Sequence, residues 1–190
     1  MHLFNRSLRL PTFVKRGICN TLLALCLGLC LPTSQSVAMA DELIEYQVKA
    51  AFIYNFIAFT QWPDSTGEMI NLCVYGEDYF GNEIDKLQNR SVNKRHIKVE
   101  RINHVEKLKR CQVIFFSKPV SSNLSGVLSE LQNQPVLTLA DRPDAISQGV
   151  IINMNLINEK IVFEINLGFA RKSGLDISSK LLQLAVKVHQ

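Results

Sequence analysis

Residues that build metal and redox sites are scarce in this chain once its first forty residues are set aside. Only Cys73 and Cys111 remain among the cysteines, and only His96, His104 and His189 among the histidines. None of them has the spacing of metal ligands, because two cysteines without nearby histidines do not complete a coordination sphere. The sequence therefore predicts no metal site and no cofactor.

Catalytic motifs are also missing. The segment 76–81 follows a predicted strand, but the lysine and hydroxyl of a phosphate-binding loop are absent after its second glycine. There is no Gly-x-Ser-x-Gly elbow, and residues 178–180 lack Ser-x-x-Lys spacing. Asp141 and Asp144 could bind a cation, but we interpret residues 141–144 as a solvated turn. Since no nucleophile, base and orienting group come together, we predict no catalytic residues and a binding or regulatory module rather than an enzyme.

A net positive charge is missing as well, outside the first forty residues. Four of the 21 lysines and arginines precede Asp41, whereas all 17 acidic residues lie after Ala40. Residues 41–190 therefore carry 17 basic and 17 acidic side chains. A neutral domain has little support for a nucleic-acid surface, so no nucleic-acid partner is predicted.

The first forty residues have the order of a secretory signal peptide. Arg6, Arg9, Lys15 and Arg16 precede an apolar run at 18–31, and Ala38-Met39-Ala40 follows. This order predicts cleavage before Asp41. The alternative is a membrane anchor, but the apolar run is shorter than the ~20 residues that a spanning helix needs. The remaining ~150 residues are expected to form a single domain.

The predicted export bears on the redox state of the two remaining cysteines. In an oxidising compartment, a lone pair of cysteines predicts a disulfide bond between Cys73 and Cys111, each beside a strand-like run. A structural crosslink is the favoured interpretation. A redox switch and a thiol nucleophile are the alternatives.

Strand and helix patterns alternate along residues 41–190. A long helix is predicted from Glu42 to Gln61, ended by Trp62-Pro63. Strands and helices then alternate, which is typical of a mostly parallel sheet flanked by helices. Runs at 150–157 and 160–167, separated by two residues, predict a C-terminal antiparallel hairpin. The predicted class is therefore α/β, with a long N-terminal helix and a C-terminal hairpin.

The first helix has two apolar stripes instead of one. Ile53 and Ile57 belong to the second stripe, opposite the 3.6-residue pattern of the first. A single domain of this size buries one stripe more easily than two. We therefore predict that Ile53 and Ile57 contribute to a homodimer interface.

Polar residues alternate with apolar ones near the C-terminus. Glu164 and Asn166 lie on one face of a predicted strand. Further polar residues follow in the last segment, namely Arg171, Ser178, Ser179 and Lys180. One interpretation is a partner-binding surface; the other is an exposed sheet face followed by a helix cap.

These segments carry a family resemblance. The sequence is similar to YfiR-type proteins at 48–56 (VKAAFIYNF), 62–63 (WP), 73–76 (CVYG), 80–81 (FG), 135–139 (PVLTL), 163–167 (FEINL), Arg171, 174–175 (GL) and 178–182 (SSKLL). Cys111 before an apolar strand and Asp141 belong to the same ordered set, which covers nearly all of residues 44–188.

The resemblance implies a periplasmic repressor without enzymatic activity. Such a protein binds the periplasmic domain of an inner-membrane diguanylate cyclase, lowers cyclic di-GMP and restrains biofilm formation. The resemblance also implies homodimers and sequestration by an outer-membrane lipoprotein. The second cysteine pair of well-known members is absent, because no cysteine follows Cys111. The alternative function is a periplasmic ligand-sensing module that serves another membrane receptor or a sensor kinase.

Overall fold

The computed structural model describes residues 35–118 and 123–190, with side chains from residue 42 onward. Residues 1–34 of the predicted signal peptide lie outside this range, so the signal peptide stays a prediction. Within the described part of the chain, no helix combines the length and the apolar character needed to cross a membrane. Residues Ala40–Gln190 form one compact unit.

Helices and strands alternate as the sequence predicts. The described helices are α1 (Gln35–Phe59), α2 (Asn82–Asp85), α3 (Leu124–Glu130), α4 (Ala145–Gln148), α5 (Leu167–Lys172) and α6 (Ser179–Leu184), with 3₁₀-helices at Asp64–Thr66 and Val105–Arg110. The described strands are β1 (Thr60–Gln61), β2 (Met69–Tyr75), β3 (Ser91–Val92), β4 (Arg95–Ile102), β5 (Val113–Phe116), β6 (Leu137–Ala140), β7 (Ile152–Ile157), β8 (Lys160–Asn166), β9 (Asp176–Ile177) and β10 (Lys187–His189).

Eight of these strands form one sheet in the order β10-β8-β7-β6-β5-β2-β4-β3. Strands β4, β2, β5, β6 and β7 are mutually parallel, whereas β7 and β8 form an antiparallel hairpin. The prediction of a mostly parallel sheet with a C-terminal antiparallel hairpin is confirmed. A separate two-stranded sheet joins β1 to β9, so the end of α1 is tied to the C-terminal segment.

Both faces of the sheet are covered. Helix α1 packs against one face, where Phe56 contacts Phe163 with ring centroids 5.0 Å apart, and Phe80 contacts Phe115 at 4.8 Å. The other face carries a second cluster that includes Cys73, Leu108 and residues of α3. Burial on both faces explains why β5 is a continuous apolar run and why every residue of β6 is buried, including Thr138.

Residues with positive φ values limit two helical segments. Helix α2 is short, since Gly81 and Asn89 have φ values of 51° and 61° on either side of it. The segment after Phe169 is interrupted by Gly174 at φ 71°. It contains β9, α6 and the parallel strand β10, and neither of these two strands is predicted from the sequence.

The placement of Ile53 and Ile57 contradicts the predicted dimer interface. Both side chains project from α1 into the domain's own core, where they are 0% exposed. The second apolar stripe of the helix is the one that packs within the domain, so neither residue offers a surface to a second copy. Among the described side chains of α1, the large apolar ones that are exposed are Leu43, Ile44 and Val48. Homodimerisation itself stays a prediction.

The structure contains the Cys73–Cys111 disulfide bond, which joins β2 to the residue after the second 3₁₀-helix. The cysteines are 38 positions apart, and both are buried. Because a crosslink over a loop of this length restricts the unfolded chain, replacing both cysteines by alanine is expected to lower the free energy of unfolding by about 2–5 kcal/mol. Urea denaturation followed by circular dichroism measures this change, with the chemically reduced protein as the control. An unchanged midpoint would show that the bond does not stabilise the domain.

Candidate functional site

A polar cleft lies on the sheet face opposite α1, over the last three strands of the sheet. It has a volume of about 610 Å³. Its floor is formed by side chains of β7, β8 and β10, and residues 143–147 form one wall. We call this site the polar cleft; its floor residues are Asn153, Asn155, Glu164, Asn166 and His189.

Strand register brings these polar side chains together. Asn153 of β7 lies directly opposite Glu164 of β8, and His189 of β10 lies beside Asn166. Alternate residues of a strand share a face, so the polar side chains point one way while Met154 and Ile165 are buried on the other side. The predicted common face of Glu164 and Asn166 is therefore present.

Hydrogen bonds connect the floor of the cleft into a chain. Asn153 donates to Asn155 at 3.1 Å, and Asn155 donates to one oxygen of Glu164 at 3.4 Å. The other oxygen of Glu164 is 2.7 Å from Nε2 of His189. The side chains of Glu164 and His189 are each 27% exposed. The Glu164 carboxylate is thus held in a fixed orientation but can still be reached from outside.

The remaining residues of the predicted surface divide into capping and exposed groups. Asn166 accepts a hydrogen bond from the backbone N–H of Phe169 and caps α5. Ser178 accepts one from the backbone N–H of Lys180 and caps α6. Arg171, Ser179 and Lys180 are exposed. Of the six predicted residues, Glu164 and Asn166 line the cleft; the other four are not among its lining residues.

A buried ion cluster lies at the carboxyl end of β6. The Nζ of Lys49 on α1 bonds to Oδ2 of Asp141 and to the carboxylate of Glu45, and the side chains of Lys49 and Asp141 are each 1% exposed. Tyr46 donates to the same Oδ2 at 2.8 Å, and Lys118 lies 3.8 Å from it. This cluster fastens the N-terminal half of α1 to the sheet.

Asp141 is therefore not part of a solvated turn, and that interpretation was wrong. The turn begins after Asp141, and the carboxylate points under α1 because Lys49 offers it a buried positive charge. Burial, together with the negative charge of Asp141, raises the pKa of Tyr46 far above its ordinary value. Tyr46 therefore stays protonated and remains a donor to Asp141.

Sequence reasoning missed the pairing of Lys49 with Asp141. The available signal was a lysine within an apolar stretch of the first helix and an aspartate directly after an apolar strand. A charge in either place is costly to bury without a partner. Within the described residues, no group of three histidine, cysteine or acidic side chains is arranged to hold a metal ion.

The domain is α/β, its buried charges are paired with one another, and it has a half-exposed polar cleft. These features are typical of a binding or regulatory domain. A model of the YfiR/HmsC-like family matches residues 46–186. The chain belongs to the YfiR/HmsC-like family, and the resemblance seen in its sequence is confirmed. Membership supports a regulatory role in periplasmic cyclic di-GMP signalling.

Two solved structures are similar to this chain at low identity. One is a conserved domain protein from Vibrio cholerae O1 biovar El Tor, 9% identical over 75% of this chain and 60% of that one, with a TM-score of 0.48. The other is an ABC domain from Streptococcus pneumonia in complex with L-Trp, 10% identical over 71% and 58%, with a TM-score of 0.46. This chain thus spans about three fifths of each, and the family assignment rests on the family model alone.

Proposed function

We propose that this protein is a periplasmic repressor that binds the periplasmic domain of an inner-membrane diguanylate cyclase and holds the enzyme inactive. Repression would lower cyclic di-GMP and restrain biofilm formation. The observation that carries the proposal is the family match across residues 46–186. The signal-like residues 1–40 support it, since their removal before Asp41 would release the single domain 41–190 into the periplasm.

The polar cleft is the proposed contact for the cyclase. Its carboxylate and amides are preorganised by the chain of hydrogen bonds through Asn155, Glu164 and His189. A group that is already held in place loses little conformational freedom on binding. Exposed Arg171 and Lys180 would add charge near this C-terminal region and favour a partner of complementary charge.

Replacing Glu164 by alanine is expected to abolish repression while the protein remains folded and oxidised. Truncating a charged group that becomes desolvated at an interface weakens binding by about 2–5 kcal/mol, which would release most of the cyclase. Cyclic di-GMP in cells that carry the variant should rise to the level of a strain without the protein. The measurement is nucleotide quantification, together with thermal melting of the purified variant.

The matched control is Glu130→Ala, which removes an exposed carboxylate from the end of α3. This variant should repress normally. Normal repression by Glu164→Ala would remove Glu164 from the interface. A strongly lowered melting temperature would assign Glu164 to the fold, because its bonds to Asn155 and His189 hold three strands together.

Release by an outer-membrane lipoprotein and self-association as a homodimer complete the proposal, and both follow from the family resemblance. Exposed Leu43, Ile44 and Val48 on α1 are among the apolar side chains available for such contacts.

A ligand-sensing module for another receptor or a sensor kinase is the second candidate. The volume of the polar cleft favours it, because about 610 Å³ is within the range of small-molecule sites. A gene for a membrane cyclase beside this one would support the repressor, and a gene for a kinase or receptor would support the sensor.

A further inference from the structure

Charge is strongly separated along this neutral domain. Residues 86–110 contain nine lysines and arginines but only two acidic residues, a net charge of +7. The rest of residues 41–190 contain eight basic and fifteen acidic residues, a net charge of −7. The basic segment contains β3, β4 and the second 3₁₀-helix, so it occupies one end of the sheet order.

Part of this charge is gathered on one face. Residues 98 and 100 of β4 share a face, and Glu100 lies opposite Cys73 of β2. The 3₁₀-helix Val105–Arg110 covers the same side of the sheet, because Leu108 is buried beside the disulfide and Arg110 pairs with Glu100. We call Lys98, Lys107, Lys109 and Arg110 the basic ridge.

The ridge has more positive charge than its own carboxylates neutralise. Glu100 pairs with Lys98 at 2.9 Å and with Arg110. The hydrogen bond from Lys98, together with the charge of Arg110, lowers the pKa of Glu100, which therefore stays ionised. Lys107 and Lys109 have no ion pair among the described residues, and both are exposed. Glu106 is the other carboxylate of this segment.

We propose that the basic ridge binds the anionic phospholipid headgroups of the inner membrane. Lysine ammonium groups on flexible stems are point charges that suit a fluid anionic surface, whereas a specific phosphate site favours the fork of arginine in a concave pocket. Neither of the two cavities described in the structure is lined by ridge residues. The negative remainder of the domain is repelled by the same surface, so the ridge would face the membrane.

This inference rests on the proposed periplasmic location, and its test does not involve the cyclase. The oxidised domain is mixed with vesicles of phosphatidylglycerol and phosphatidylethanolamine, or of phosphatidylcholine alone, and the bound fraction is measured by sedimentation. We expect binding to the anionic vesicles that weakens at high salt. Lys107→Glu combined with Lys109→Glu should reduce partitioning by about 25-fold or more, since each lysine near an anionic surface contributes about fivefold.

The control is Lys160→Glu combined with Lys187→Glu, the same charge change at exposed positions of β8 and β10. Distances beyond ~10 Å are screened at moderate salt, so this variant should bind like the original protein. Circular dichroism and intact mass verify that each variant is folded and oxidised.

Three results would overturn the proposal: equal binding to phosphatidylcholine vesicles, retained binding by the ridge variant, or binding to polyglutamate but not to anionic vesicles. The last would assign the ridge to an acidic protein partner. Vesicle binding together with normal cyclic di-GMP in the Glu164→Ala strain would contradict only the contact proposed for Glu164. A strain without the protein that has unchanged cyclic di-GMP would contradict only the repressor function.

Discussion

Replacing Asp141 by alanine is expected to lower the free energy of unfolding by about 3–5 kcal/mol, because the variant leaves Lys49 with a buried charge that lacks its main partner. Both side chains are 1% exposed, so water cannot take the place of the carboxylate without opening the helix–sheet contact. Tyr46 also loses its acceptor. Urea denaturation followed by circular dichroism measures the change, with Asp64→Ala as the control at an exposed position.

The double variant Lys49→Met with Asp141→Leu distinguishes the contribution of charge pairing to stability from the contribution of side-chain packing. Methionine has nearly the volume of lysine, and leucine has the branched shape of aspartate, so the pair removes both buried charges. Replacement of a buried ion pair by apolar residues is often neutral or stabilising. We therefore expect the double variant to recover much of the stability that Asp141→Ala loses. If both variants were equally unstable, shape complementarity would matter here more than charge pairing.

Ile53→Asp is expected to prevent stable folding. The Ile53 side chain on α1 is 0% exposed, so the variant removes apolar contacts from the core and introduces a buried carboxylate without a partner. Loss of the apolar side chain alone costs about 2–5 kcal/mol, and burial of the charge adds several more. The sum is comparable to the whole stability of a domain this size, about 5–15 kcal/mol. Loss of the cooperative thermal transition is the expected observation.

Ile44→Asp is the matched control on the same helix, since Ile44 is 58% exposed. This variant should fold normally. Sedimentation velocity of the control also reports on self-association: a dimer in the original protein and a monomer in Ile44→Asp would place the interface at the N-terminal end of α1. A well-folded Ile53→Asp protein would contradict the burial of that residue.

The sequence predicted the sheet because strand and helix patterns repeat locally. Continuous apolar runs such as 113–116 and the two-residue break at 158–159 need no knowledge of distant contacts. The burial of Ile53 within its own domain could not be predicted in the same way. An apolar helix surface shows that something covers it, but a single sequence does not distinguish the chain's own sheet from a second copy.

Other features depended on long-range contacts. Lys49 and Asp141 are 92 residues apart, and β10 has only three residues, too few for a periodic pattern. Asn153 and Asn155 belong to the cleft only because the strand register places β7 beside β8, and this register is not visible in the sequence. The neutral charge of residues 41–190 as a whole concealed the basic segment 86–110, although a count in short windows would have found it.

The order of strands fixes the separation between the basic ridge and the polar cleft. Five strand spacings separate β4, which carries part of the basic ridge, from β8, which carries Glu164. At ~4.8 Å for each spacing, the distance across the sheet is about 24 Å. Both lie on the sheet face opposite α1, so this distance runs along one face of the domain. The ridge and the polar cleft are therefore far enough apart for a lipid surface and a cyclase to be bound at the same time without competing for the same residues.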